Sequence, residues 1–183
     1  GKEVADALLD ALEKGPVNGV VLDVRNNPGG VLNASVEMAS NFLDGGLVVY
    51  TQGRHPESKT VLEAEPGELL PDVPIVVMVN GGSASASEII AGALQDRGRA
   101  VIMGTRSFGK GSVQTVLPVS ETKALKLTTS LYYTPNGRSI QAEGIVPDVV
   151  VERAQRTRLE EGRRLREADL HRSLKNTAEA QAS

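Results

Sequence analysis

The chain has 183 residues, 40% of them hydrophobic and 23% charged, which suffices for one ordinary domain with a substantial core plus an appendage. Aromatic residues make up only 3% and the net charge is -3, which argues against single-strand nucleic-acid binding and against a polyanionic partner. Cysteine is absent, so disulfides, thiolate nucleophiles and cysteine-ligated zinc are excluded, and no segment approaches the roughly 20 apolar residues of a membrane span.

The first fifty residues predict two helices and two strands. The apolar residues of 4–12 lie on one face of a predicted helix, which stops at Lys14-Gly15-Pro16, a C-terminal helix signal. Residues 19–24 form a short apolar run typical of a buried strand, residues 31–43 return to helical spacing, and residues 47–50 predict another strand. Strand, helix and strand in this order predict a parallel crossover unit, and therefore an α/β fold.

A second crossover unit is predicted in the middle of the chain. Pro74–Val79 is continuously apolar and rich in β-branched residues, which is typical of a strand buried on both faces. A helix over about residues 87–95 follows it, and Ala100–Met103 predicts the next strand. Before this unit, the polar and proline-containing residues 51–72 predict an excursion or a β-hairpin around residues 59–62.

The pattern changes in the last third of the chain. Residues 112–119 and 124–133 alternate or run β-branched and are separated by turn residues, which predicts antiparallel strands. From Glu152 onward charges dominate, and we expect a charged helical extension over residues 152–183. A solvated helix is favoured over an oligomerisation arm and over partial disorder at the Ala-rich end. The sequence starts inside a helical pattern and without Met, so we expect it to be part of a longer chain.

Two turns of small residues follow apolar strands and offer backbone N–H groups to a ligand. Asn80–Leu94 contains Ser85-x-x-Glu88, the capping-box pattern of a helix start, where free N–H groups suit a nucleophile or a bound anion. The alternative is that its serines only cap the helix. Arg25–Gly30 predicts a tight loop whose N–H groups face a ligand, and a plain strand-to-helix turn is the alternative.

Gly104-x4-Gly109-Lys110 has the spacing of a phosphate-binding P-loop, but its context does not fit one. Gly111 follows the lysine where a P-loop has Ser or Thr to meet magnesium, and the next segment is strand-like where a P-loop begins a helix. We therefore reject a nucleotide site here.

A serine nucleophile needs a base, and lysine is the candidate that remains. His55 lies in the polar excursion and His171 in the charged tail, away from the apolar strands and glycine loops. A lysine accepts a proton when burial in an apolar site lowers its pKa toward about 7. Lys110 lies between two glycines with Phe108 and Val113 nearby, so we expect it to be buried and neutral; a structural lysine in a glycine loop is the alternative.

Four segments, in order within residues 19–148, carry a resemblance to a known family. Leu22–Gly30, Asn80–Leu94, Phe108–Thr115 and Tyr133–Asp148 resemble motifs of the carboxyl-terminal processing proteases, also called tail-specific proteases. Four collinear motifs are far more specific than any one of them.

This resemblance implies a serine endopeptidase with a Ser/Lys dyad. The implied fold is a crotonase-like (ClpP-like) α/β core of mainly parallel strands with crossover helices, followed by antiparallel strands. Matched to the motifs, the nucleophile falls on Ser85, the general base on Lys110, and the glutamine that orients this lysine on Gln114.

The resemblance also implies how the reaction is supported. The backbone N–H groups of the oxyanion hole map to Gly29 or Gly30 and to Ala86, and no metal or organic cofactor is needed. Among nearby polar residues, we expect Asp23, Ser83 and Ser87 to be structural and Asp96 to cap or pair. For Arg25 and Arg106, a loop-ordering role and a plain surface role stay open.

Residues 1–151 correspond to the family's catalytic core, and residues 152–183 to an extension. Such proteases usually carry a signal or membrane anchor, an N-terminal helical part and a PDZ domain, and none of these is in this sequence. The resemblance implies protein or peptide substrates with exposed C-terminal tails, an activating adaptor protein, a homo-oligomer formed through the extension, and a periplasmic or cell-envelope location.

Two other interpretations stay open on the sequence. In the first, the core is catalytically silent and serves as an assembly or binding module, which would fold without being acylated on Ser85. In the second, it is a crotonase-type acyl-thioester enzyme, which a test for coenzyme A binding would distinguish.

Overall fold

The computed structural model describes residues 1–152. The expected charged helical extension lies almost entirely in residues 153–183, outside the described residues.

Three α-helices and eight β-strands form within the described residues. In chain order they are α1 (Lys2–Lys14), β1 (Val20–Asp23), α2 (Leu32–Ser40), β2 (Gly46–Gly53), a 3-10 turn (Pro56–Ser58), β3 (Thr60–Ala64), β4 (Ile75–Val79), α3 (Ala86–Asp96), β5 (Val101–Gly104), β6 (Ser112–Ser120), β7 (Lys123–Tyr133) and β8 (Val149–Val150). No helix among residues 1–152 is both long enough and apolar enough to cross a membrane.

One sheet is parallel and has the order β1-β4-β5-β8. The predicted crossover from β4 through α3 to β5 is confirmed. Because all four strands run the same way, the loops after β1, β4 and β5 emerge at one edge of the sheet. In parallel sheets this carboxyl edge is where binding sites form.

The second sheet is antiparallel and has the order β3-β2-β7-β6. The antiparallel strands predicted over residues 112–133 are confirmed as the β6–β7 hairpin, and the predicted hairpin around residues 59–62 is confirmed as β2–β3. The expected dominance of parallel strands is wrong, because each sheet contributes four strands.

The first predicted crossover unit is also wrong. Strand β2 follows β1 and α2 as expected, but it pairs antiparallel with β3 and β7 in the second sheet. The strand beside β1 is β4, some fifty residues further on. Gly45 and Gly46, with φ of +70° and +84°, form the turn that leads into β2. These angles suit glycine, so the chain can turn sharply there and leave the first sheet.

Strand β1 differs from the buried strand that its apolar run predicts. It is the edge strand of the parallel sheet, and Val21 is 67% exposed. The strand β8 at the other edge has two residues and was not predicted.

The core is aliphatic and lies where α2 and α3 pack against both sheets. Helix α3 is buried along most of its length because small and β-branched residues allow close packing on all sides. Gly92 shows how close this packing is, since a Cβ there would lie 2.8 Å from Thr134 and 3.0 Å from Ile145. Helix α3 is therefore held rigidly, and its first residue follows Ser85.

Candidate active site

Ser85 occupies a strained turn between β4 and α3. Its φ and ψ are 55° and -114°, a conformation that side-chain-bearing residues rarely adopt. Such strain costs about 1–3 kcal/mol and persists where the surrounding structure enforces it. A serine on a sharp strand-to-helix turn, followed by a helix N-terminus, is the geometry of a nucleophile elbow, in which the next residue's N–H faces the oxyanion.

The loop after β1 is joined to this turn by hydrogen bonds. The carbonyl oxygen of Asn27 accepts the Ala84 N–H at 3.0 Å and the Ser87 hydroxyl at 3.1 Å. The Ser83 hydroxyl donates to the Val24 carbonyl oxygen at 2.8 Å. Ser83 and Ser87 therefore have structural roles, as expected, because their hydroxyls hold the loop after β1 against the turn at Ser85.

Two asparagines extend this junction. The Asn26 N–H donates to Oδ1 of Asn80 at 2.9 Å, and Nδ2 of Asn80 donates to Oδ1 of Asn26 at 3.0 Å. Gly82 lies against this pair, where a Cβ would be 2.8 Å from the Asn26 side chain. Small residues in the turn are therefore required for the two loops to meet.

Gly29 packs directly on the turn, but its N–H is already used. A Cβ there would lie 2.5 Å from the Ala84 carbonyl oxygen and 2.7 Å from the Ala86 nitrogen. The Gly29 N–H donates to Oδ1 of Asn27 at 2.9 Å, so Gly29 drops out of the expected oxyanion donors in this conformation. Within residues 1–152, the N–H groups of Gly30 and Ala86 have no paired acceptor. These two remain available to an oxyanion.

Lys110 follows β5 in the third loop and is exposed, which contradicts the expected burial. Its neighbours explain this, because Gly109 and Gly111 have no side chains to cover it and Phe108 is itself 67% exposed. Strand β6 follows the loop, as expected when we rejected a P-loop. Gln114 on β6 is exposed, and among the described residues no hydrogen bond joins its side chain or that of Ser85 to the lysine amine.

A buried carboxylate connects the base loop to the nucleophile turn. Oε2 of Glu88 accepts the backbone N–H of Ser85 at 2.7 Å and that of Lys110 at 2.9 Å. Oε1 of Glu88 accepts the Ser107 hydroxyl and the Gly109 N–H, both at 2.6 Å. The sequence assigned Glu88 only to a capping box, and that pattern was the single local signal that could have pointed to it.

The base loop is supported on its other side by residues 140–145. The Ser107 hydroxyl accepts the Ile145 N–H at 2.6 Å, and the Ala142 N–H donates to the Gly109 carbonyl oxygen at 2.9 Å. Oε1 of Gln141 accepts the Gly111 N–H at 3.1 Å. This segment belongs to the fourth sequence motif, so its place in the site is to back the loop that carries Lys110.

Several charged residues in or near the motifs form ion pairs. Arg25 donates to both carboxylate oxygens of Asp23, and this side-chain hydrogen bonding, with help from the Arg25 backbone N–H, lowers the pKa of Asp23 to about 2. Asp96 pairs with Arg138, as expected of a residue that pairs rather than reacts. In the described part of the chain, no group of three or more His, Cys, Asp or Glu side chains is placed to hold a metal ion.

The chain matches known proteins over this core. A model of peptidase family S41 matches residues 1–151. The carboxy-terminal-processing protease of Bartonella bacilliformis is 54% identical over 149 residues, covering 80% of this chain and 34% of that protein. The carboxyl-terminal-processing protease of Synechocystis is 44% identical over 151 residues, which cover 82% of this chain and 35% of the Synechocystis protein.

A solved structure gives the same result. The photosystem II D1 C-terminal processing protease superimposes with a TM-score of 0.74 at 39% identity, covering 81% of this chain and 39% of that one. The chain spans about a third of the length of the curated relatives it matches. With a family model matched over residues 1–151 and relatives of this similarity, the chain belongs to peptidase family S41.

Proposed function

We propose that this chain is the catalytic core of a serine endopeptidase in which Ser85 is the nucleophile and Lys110 the general base. The observation that carries the proposal is the conformation of Ser85, whose φ of 55° is enforced at the start of α3 beside the unpaired N–H of Ala86. Strain of this kind clusters at active sites, and a helix N-terminus favours developing negative charge.

The reaction follows from these groups. Neutral Lys110 takes the proton of the Ser85 hydroxyl as Oγ attacks a peptide carbonyl carbon, and the N–H groups of Gly30 and Ala86 hold the oxyanion. Lys110 returns the proton to the leaving amine, which departs as the C–N bond breaks and leaves an acyl ester on Ser85. Water, deprotonated by Lys110, then attacks the ester carbonyl carbon; the bond from that carbon to Oγ breaks, and Lys110 returns the proton to Oγ, which regenerates the serine and the neutral lysine.

Lys110 must be neutral for these steps, and this requires a change around its exposed amine. A bound substrate or a further part of the protein would cover it, and desolvation lowers the pKa of a lysine. Gln114, four residues on in β6, is the residue that we propose orients the covered amine.

The relatives' names give the proposed substrate class. They are called carboxyl-terminal-processing proteases, and we assign to this chain protein substrates with exposed C-terminal tails. We also propose a crotonase-like core over residues 1–151, an extension over residues 152–183 that forms a homo-oligomer, an activating adaptor protein, and a periplasmic or cell-envelope location.

Cleavage of an unfolded reporter with an apolar C-terminal tail tests the proposal. The comparison includes this chain, a longer form with its upstream region restored, and each form with Ser85→Ala or Lys110→Ala. We expect cleavage by the longer form and its loss in both variants. If Ser85→Ala cleaves as well as its parent, or no form cleaves any of a range of tails, the proposal is wrong.

A catalytically silent binding module is the second candidate. It is favoured by one observation, the absence within residues 1–152 of a hydrogen bond between the Lys110 amine and Ser85. Such a module would bind the reporter but would not react at Ser85. A fluorophosphonate tests this, because an activated serine displaces its fluoride and becomes a phosphonate ester that mass spectrometry of the protein detects. An acyl-thioester enzyme would instead bind coenzyme A.

A further inference from the structure

We propose that Glu88 is the positioning residue that holds the nucleophile and the base in one arrangement. The inference rests on the proposed function, because it assigns to Ser85 and Lys110 the roles given above. It concerns a residue that touches neither substrate nor the reacting atoms.

The four hydrogen bonds of Glu88 divide unequally between two parts of the site. Only one of them, the bond from the Ser85 N–H, is the one that a glutamate contributes to a capping box at the start of α3. The other three donors, Ser107, Gly109 and Lys110, belong to the base loop, 19 to 22 residues further along the chain. Three of the four hydrogen bonds that this side chain accepts therefore come from the loop that carries Lys110.

All four partners are donors, so the site requires a carboxylate. The Ser107 hydroxyl accepts the Ile145 N–H, which leaves its own proton for Glu88. Each carboxylate oxygen of Glu88 accepts two hydrogen bonds, and a proton or an amide NH2 there would face donors. The carboxylate form is the one that satisfies every group.

Burial of this charge is costly unless something compensates it. Glu88 is 0% exposed, and among the described residues no Lys or Arg forms an ion pair with it. The compensation comes from the four donors and from the N-terminal end of α3, where Glu88 lies in the first turn. Because these donors come from both the turn and the loop, separating the two would leave a buried charge short of partners. The free-energy cost of leaving this buried carboxylate without its donors keeps the backbones of Ser85 and Lys110 close to each other.

The test compares Glu88→Gln with Arg99→Ala in the form of the protein that cleaves the reporter. Arg99 lies just beyond the other end of α3, where it pairs with Glu68 and donates to the carbonyl oxygens of Leu70 and Val73. Its removal lowers stability without touching the site, so it controls for a purely structural effect. Steady-state kcat and KM, the unfolding midpoint and amide hydrogen exchange are measured for each.

We expect Glu88→Gln to lower kcat about 100-fold with KM changed less than about threefold, because misplaced groups slow chemistry more than binding. Arg99→Ala should have the kcat of the parent protein, even though its unfolding midpoint is equal to or lower than that of Glu88→Gln. Amides of residues 85, 109 and 110 should exchange together at least about tenfold faster in Glu88→Gln than in Arg99→Ala.

The outcomes separate the two proposals. If Glu88→Gln keeps the kcat of Arg99→Ala while Ser85→Ala is inactive, the proposed function holds and the role of Glu88 is wrong. If cleavage does not depend on Ser85, the proposed function fails, and hydrogen exchange still decides whether Glu88 joins the turn and the loop. Unchanged exchange at residues 85 and 110 overturns the inference.

Discussion

The backbone N–H groups of Ser85 and Lys110 donate to the same oxygen, Oε2 of Glu88, at 2.7 and 2.9 Å. The two residues are 25 positions apart in the chain and belong to different loops of the parallel sheet. Their main chains are therefore held at one buried point, whereas the Lys110 side chain remains exposed. The structure thus fixes the main chains of the two residues together and leaves the lysine amine uncovered.

The strain at Ser85 has a measurable effect on stability. Ser85→Gly removes the strain of the positive φ, because glycine has no Cβ, whereas Ser85→Ala keeps that strain. After allowing for the greater freedom of glycine in the unfolded chain, we expect Ser85→Gly to be more stable than Ser85→Ala by about 1 kcal/mol. Urea unfolding of the two variants measures this difference. Equal stability would show that the turn imposes no strain.

Gly29 and Gly30 provide a matched pair at the glycine loop. Alanine at residue 29 would meet the Ala84 carbonyl oxygen at 2.5 Å and adopt a φ of +93°, whereas a Cβ at residue 30 meets nothing within 4 Å. We expect Gly29→Ala to lower the free energy of unfolding by about 2 kcal/mol and Gly30→Ala to change it by less than about 0.5 kcal/mol.

Cleavage measured on the same two variants extends this comparison. Displacing the loop would move Gly30, the proposed oxyanion donor, so Gly29→Ala should lose activity at least about tenfold. Full activity with unchanged stability in Gly29→Ala would contradict the close approach of the loop to the nucleophile turn.

The pair of Asp23 and Arg25 predicts a pH dependence of stability. Its hydrogen bonds lower the pKa of Asp23 to about 2, below the ordinary value of about 4. The folded state therefore binds this proton more weakly than the unfolded state, so the stabilisation is complete above about pH 4 and is lost as the pH falls toward about 2.

Urea unfolding at several pH values checks this expectation. The difference in stability between the parent and Asp23→Asn should shrink as the pH falls from about 5 to about 2. Because both side chains are half exposed, about 0.5 M salt should also reduce the difference. A difference that is the same at both ends of the pH range would refute the assigned shift.

Two arginines near the candidate active site should contribute differently to the free energy of unfolding. Arg138 pairs with Asp96, whose side chain is only 3% exposed, and also donates to Gln95 at 2.9 Å. Arg106 pairs with Glu143 at 3.7 Å, with both side chains more than half exposed. We expect Arg138→Ala to cost about 2 kcal/mol and Arg106→Ala less than about 0.5 kcal/mol, as measured by chemical unfolding. Equal losses of stability would show that the burial of Asp96 does not increase the contribution of its ion pair.

Local sequence was sufficient for much of this fold. Helix α3 and strand β4 are predicted within two residues of their observed bounds, because periodicity and turn residues lie within the segment itself. The β6–β7 hairpin is confirmed for the same reason. The strand β2 was assigned to the wrong sheet, since strand-helix-strand order fixes the element types and leaves open which strand each one pairs with.

The candidate site shows the same division. The resemblance of four motifs to a known family implied Ser85 and Lys110 as nucleophile and base, and these two roles stay a proposal. The burial expected of Lys110 is wrong, because burial depends on what the rest of the protein places over the loop.

The order of elements, the turns around the candidate site and the family of the chain can therefore be read from the amino-acid sequence. The acceptance of the Gly29 N–H by Asn27, the exposed edge position of Val21 and the bonds of Glu88 to both loops became visible only in the folded chain. Periodicity, capping and glycine turns act between neighbouring residues and can be recognised in one segment. Hydrogen bonds between separate loops arise only after the strands have packed, so no single segment encodes them.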